Sequence, residues 1–137
     1  MHRLVFAALL LGSSPAFAQA LCGQPREIRF NPGTTSAVLP GGVPRGSIDC
    51  YAFGARAGQR LEVSIGSVEN NAVFQIYLPG WRETAALGPE GSPALPGVGP
   101  GRDATRFAGT LPSTGRYLLV VGNTRGGSSY RVQLSIR

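Results

Sequence analysis

Apolar residues along this chain recur at every second position, and no window keeps the three-and-four spacing of an amphipathic helix for long. RLEVSI places Leu61, Val63 and Ile65 on one face and Glu62 and Ser64 on the other. YRVQLSIR does the same, with Tyr130, Val132, Leu134 and Ile136 set against Arg131, Gln133 and Ser135. AVFQIYL aligns Phe74, Ile76 and Leu78. EIRF aligns Ile28 with Phe30, and TRFAGTL turns Phe107 and Gly109 inward. Each is the pattern of a strand with one buried face. RYLLVVG is apolar on both faces, with Leu118 and Val120 behind Tyr117, Leu119 and Val121, so it is expected at the centre of a covered sheet. IDCYAFGA sets Tyr51, Phe53 and Ala55 inward. Cys50 then points outward, suited to tying down the incoming N-terminal segment from outside the core.

Turn signals separate these runs: NPG at 31–33, RAGQ at 56–59, VENN at 68–71 and NTRGGS at 123–128. TSAVL reads as a short strand ending in a further turn, PGGVPRG at 40–46. About eight short strands at this spacing predict an all-β fold, an antiparallel β-sandwich of jelly-roll or immunoglobulin-like type. Residues 79–101 break the rhythm. Eleven of these 23 are Gly or Pro, which predicts one long irregular loop. Trp81 at its start either folds over the sandwich edge or stands exposed as a ligand anchor.

The first twenty residues are of a different kind. A positive start, an apolar run at 4–11 and small-x-small sites ending at Ala18 and Ala20 read as a secretory signal peptide. The expected organisation is therefore a leader over 1–20 and one sandwich domain over 21–137, in the periplasm or secreted. Removing the leader removes His2, the only histidine. That excludes a Ser-His-Asp triad, a Cys-His pair and a histidine metal site. In an exported chain Cys22 and Cys50 read as a disulfide, the alternative being two free thiols.

Charge narrows the partners. All thirteen basic residues are arginine, and loss of Arg3 leaves twelve against seven acidic residues, a net +5. This suits anionic partners such as lipid head groups or an acidic cleft, whereas no basic run or aromatic cluster points to nucleic acid. The acidic residues are scattered and form no calcium loop. A carboxylate pair assembled by folding would make the protein a hydrolase. Without other catalytic signatures a binding module is the better reading, with no cofactor and no metal.

Several segments together resemble a known family: IRFNPGTTSAVLPGGVPRG, DCYAFGARAGQRLEVSI, AVFQIYLPG, LPSTGRYLLVVGNTR and YRVQLSI. They are similar to the bacterial periplasmic inhibitors of goose-type lysozyme, within the pre-peptidase C-terminal-like β-sandwich domains. The likeness is carried by Tyr51, Phe53, Ala55, Gly58 and Gln59, by Leu111, Pro112, Thr114, Gly115 and Tyr117, and by Thr124 and Arg125. Thr114 stands where those inhibitors carry Ser.

The resemblance implies a non-enzymatic exported inhibitor whose partner is a lysozyme. It also implies a double-loop prong in the enzyme's cleft, made of Ser113, Thr114, Gly115, Arg116 and Tyr117 with Asn123, Thr124 and Arg125. Tyr117 and Gly115 also have a plainer reading, as a core ring and a tight turn. The alternative function is a pre-peptidase C-terminal-like module that binds cell-wall polysaccharide or another exported protein.

Overall fold

A computed structural model describes residues 22, 24–30, 32–81 and 92–137, so the leader expected over 1–20 lies outside the described residues. The strands are β1 (Arg26–Glu27), β2 (Ser36–Val43), β3 (Asp49–Ala55), β4 (Arg60–Ser67), β5 (Ala72–Tyr77), β6 (Arg106–Thr110), β7 (Gly115–Asn123) and β8 (Ser128–Ile136). They form two four-stranded sheets, ordered β1-β3-β7-β5 and β2-β8-β4-β6. All pairings are antiparallel except β1 with β3. The β-sandwich expected from the period-two pattern is the fold found.

The alternation decides what lies between the sheets. Tyr51, Phe53, Phe74, Ile76, Tyr117, Leu119 and Val121 from one sheet meet Leu61, Val63, Tyr130, Val132, Leu134 and Ile136 from the other. The rings of Phe53 and Tyr117 stack with centroids 5.4 Å apart, an arrangement that adds to their burial energy. One polar chain runs through this apolar layer. Tyr51 and Tyr130 hydroxyls lie 2.6 Å apart, and Tyr130 donates to Asp49 Oδ2 at 2.6 Å. Burial first, then these hydrogen bonds, push the Tyr130 phenol far above its ordinary pKa, so it remains a neutral donor.

The outer face of the first sheet is apolar too. Cys50, Ala52, Leu118 and Val120 form a second cluster with Tyr77 and Trp81. Two segments cover it. Cys22 is joined to Cys50, with Cα atoms 5.3 Å apart, and holds the N-terminal segment there. Trp81 folds back, is buried, and donates from Nε1 to the Arg116 carbonyl at 3.0 Å. Its edge-covering reading is therefore the one observed. This double cover explains why β7 is apolar on both faces.

The described half of the long loop is irregular but anchored. Leu95 N donates to Ile76 O (2.9 Å), Ile76 N to Val98 O (3.1 Å), and Leu78 N to Pro93 O (2.9 Å). Leu95 and Val98 are buried in the main core. The loop thus occupies the outer edge of β5, which would otherwise offer unpaired backbone groups.

Two elements depart from the sequence reading. EIRF gives only Glu27 to a strand, β1, which pairs parallel with β3, and Ile28 and Phe30 reach the core from beyond its end. Residues 40–43 continue β2 instead of forming a turn. β2 pairs only with β8, and an edge strand tolerates Pro40 because one side has no ladder to break. Gly41 is there for a ring: a Cβ at this position would lie 2.4 Å from Tyr130 Cζ and Oη. The glycine permits a close approach of side chain to backbone, which in sequence looks the same as a turn signal.

Candidate functional site

β7 decides where the predicted contact residues go. Ser113 and Thr114 precede it and Thr124 and Arg125 follow it, so its nine residues separate the two groups. At about 3.4 Å per residue that is about 30 Å of extended chain. The registers agree: Gly115 lies opposite Ala55 at the end of β3, and Asn123 opposite Ala72 at the start of β5. The two tips therefore stand at opposite ends of the sandwich. They do not form one double-loop prong, because tips that flank a single extended strand point away from each other.

At the Thr114 end the polar groups hold the fold together. Thr114 Oγ1 accepts from Ala57 N at 2.9 Å, fastening the β6–β7 turn to the β3–β4 turn. Gly58 N to Leu111 O (2.8 Å) and Leu111 N to Gln59 O (2.7 Å) complete that junction. The Tyr117 ring is buried, and its hydroxyl donates to Ser113 O (2.7 Å) and accepts from Ser113 N (3.2 Å). Gly115 has φ +152°, and a Cβ on it would stand 2.7 Å from Pro79 Cβ. The plainer reading of Tyr117 and Gly115 matches these contacts. Arg116 donates from Nε to Glu27 Oε1 at 2.6 Å and lies over the Trp81 ring, 5.3 Å from its centroid. Arg60 and Arg137 share Glu62. At this end Arg116 is thus paired with Glu27 and two arginines share one carboxylate, while among the described residues no carboxylate pairs with Arg56.

The Arg125 end is built from three turns, 44–48, 68–71 and 124–127. Asn71 is the one buried polar side chain among the described residues, 2% exposed. Its Nδ2 donates to the carbonyls of Arg125 (3.0 Å) and Gly127 (2.9 Å), while its own carbonyl accepts Thr124 N at 2.9 Å. Its backbone N donates to Ser67 Oγ at 3.1 Å. Asn123 does the same for the turn at 44–48, donating from Nδ2 to Val43 O (3.0 Å) and Pro44 O (3.3 Å) and accepting from the Ser128 hydroxyl. Asn70 and Gly126 take left-handed backbone conformations, φ +52° and +56°, which Asn and Gly adopt most readily. Asn123 and Thr124 are therefore anchors, and Arg125 is the residue presented. Its Nη2 donates to the Glu69 carbonyl at 2.9 Å. Among the described residues no carboxylate pairs with Arg125 or with Arg45.

The sequence reading did not single out Asn71, Arg45 or Val68. VENN was legible as a turn, but nothing in it distinguishes the asparagine that enters the interior from its neighbour.

A separate shallow depression of about 470 Å³ lies on the outer face of the second sheet, lined by Ser36, Ser64, Arg106 and Gln133 among others. Its one carboxylate, Glu62, is engaged by Arg60 and Arg137. Among the described residues no three of His, Cys, Asp and Glu gather as metal ligands would.

No protein-family model and no curated protein matches the sequence. Solved structures do. PliG of Aeromonas hydrophila, a periplasmic inhibitor of g-type lysozyme, is 26% identical with a TM-score of 0.61, over 82% of this chain and 96% of its own. PliG of Salmonella Typhimurium is 27% identical with a TM-score of 0.59, over 84% and 99%. The pre-peptidase C-terminal domain of a Bacillus anthracis collagenase, 14% identical with a TM-score of 0.53 over 83% and 95%, shares the fold. The resemblance read from the sequence is thus found in solved structures. The better-matched proteins are inhibitors and not enzymes, which supports a non-enzymatic protein.

Proposed function

We propose that this chain, similar in sequence and fold to periplasmic inhibitors of g-type lysozyme, is itself an exported inhibitor of such a lysozyme. The observation that carries the reading is the likeness across almost the full length of those inhibitors at 26–27% identity. The disulfide and the periplasmic setting of the matched proteins support export, and residues 1–20 are proposed as the leader removed on the way.

The contact is assigned to the Arg125 end. A lysozyme cleft carries essential carboxylates. A guanidinium whose charge is not already neutralised meets a carboxylate through paired, charge-assisted hydrogen bonds. Arg125 meets that condition, and Arg116 is occupied by Glu27. The turns are hydrogen-bonded in place before any partner arrives, which lowers the ordering cost of association. A net positive charge speeds encounter with an acidic groove.

The experiment is a cell-wall clearing assay with purified protein comprising residues 21–137. Micromolar excess is expected to slow clearing by a goose-type lysozyme. Binding to isolated cell wall with no slowing would replace this reading by the polysaccharide-binding one.

A further inference from the structure

We infer that the turns 44–48, 68–71 and 124–127 form a single docking surface for an acidic protein groove with an apolar lip, and that Asn71 is the residue that positions it. This rests on the lysozyme-inhibitor reading and extends it from one arginine to a surface of defined composition.

Three observations converge on it. First, the turns are one unit: Asn71 ties the second to the third, and Asn123 ties the third to the first. Side chains on separate turns are thereby held in fixed relation, as recognition of a rigid groove requires. Second, the surface carries guanidiniums that no carboxylate of the described chain neutralises, on Arg45 and Arg125. The single acidic side chain on these turns is that of Glu69, whose backbone carbonyl receives Arg125. At the opposite end Arg116 pairs with Glu27 and Arg60 and Arg137 share Glu62, which leaves Arg56 there without a carboxylate among the described residues. Third, Val68 is 92% exposed, well beyond Val38, the other exposed large hydrophobic among the described residues. An interface that covers this valine gains by removing its apolar surface from water. The occupant that satisfies all three is a protein groove with carboxylates at its floor and an apolar rim. A neutral glycan would not satisfy the charge.

Asn71 enters as a positioning residue. Both of its Nδ2 hydrogens are spent on carbonyls of the turn that bears Arg125. Asn71→Asp keeps the shape and turns that donor into an acceptor facing two carbonyls, so the turn loosens. Inhibition of a purified goose-type lysozyme is measured for the single variants Arg45→Ala, Val68→Ser and Asn71→Asp. The Asn71→Asp change is also made in an Arg125→Ala background, and melting temperatures are taken throughout.

Arg45→Ala and Val68→Ser are expected to weaken inhibition about five- to tenfold with unchanged melting temperature. Asn71→Asp is expected to weaken it about tenfold alone and less than twofold beside Arg125→Ala. Equal losses in both backgrounds would make Asn71 merely structural. Arg45→Ala and Val68→Ser that inhibit like the parent, while Arg125→Ala does not, would overturn the shared surface and leave the inhibitor reading standing. A parent protein that does not inhibit overturns both.

Discussion

Replacing Arg125 by alanine is expected to weaken inhibition of a goose-type lysozyme at least thirtyfold, a loss of about 2 kcal/mol. The size follows from what the guanidinium would do. In the free protein it is exposed and donates to the Glu69 carbonyl. In a carboxylate-lined groove its donors form charge-assisted pairs out of water, the geometry in which arginine contributes most. Its removal also strands the carboxylate it faced. Arg125→Lys keeps the charge and loses the planar fork, so it should recover only part of the affinity. Since Arg125 supports little of the fold, thermal stability should hardly move.

Thr114→Ala is the informative contrast. It removes the acceptor of Ala57 N, and is expected to cost about 1 kcal/mol of stability with inhibition intact. Loss of inhibition in Thr114→Ala or Arg116→Ala, with Arg125→Ala unaffected, would move the site to the other end.

The second large effect is on stability. Changing Cys22 and Cys50 to alanine is expected to lower the free energy of unfolding by about 3.5 kcal/mol, from the chain entropy of the loop the bond closes. For a domain of this size that is a fall of more than about 10 °C in melting temperature. The bond spans 28 residues and holds the N-terminal segment over an apolar cluster that includes Leu118 and Val120 of the central strand. Its loss frees that cover as well as the loop. Denaturant unfolding of the double variant against the parent measures the effect, and a difference under about 1 kcal/mol would show that the cover stays on unaided.

Much of the fold was legible because alternation states which side of a strand is buried. Leu61, Val63 and Ile65, or Tyr51 and Phe53, are where period two puts them. The same rule placed Cys50 outside the main core and made the strand around Leu119 central. Misreading arose where one residue type serves two physical ends. Gly41 makes room for the Tyr130 ring, yet its letter is that of a turn.

The site was less legible, for a different reason. The two tips around RYLLVVG are close in sequence, but the strand between them is extended and sets them far apart. The hydroxyl of Thr114 looked free because its acceptor role involves Ala57, 57 residues away. Asn71 went unnoticed because its burial depends on a hairpin that reaches it from residues 124–127. Long-range hydrogen bonds of this kind leave no local pattern in a chain.

The central claim is that the end of the sandwich bearing Arg125 meets the partner. Amide hydrogen exchange of residues 21–137, alone and with excess goose-type lysozyme, tests it without any substitution. Slowed exchange in 44–48, 68–71 and 124–127, with 56–59 and 111–115 unchanged, is the predicted result. Protection confined to 56–59 and 111–115 would contradict it.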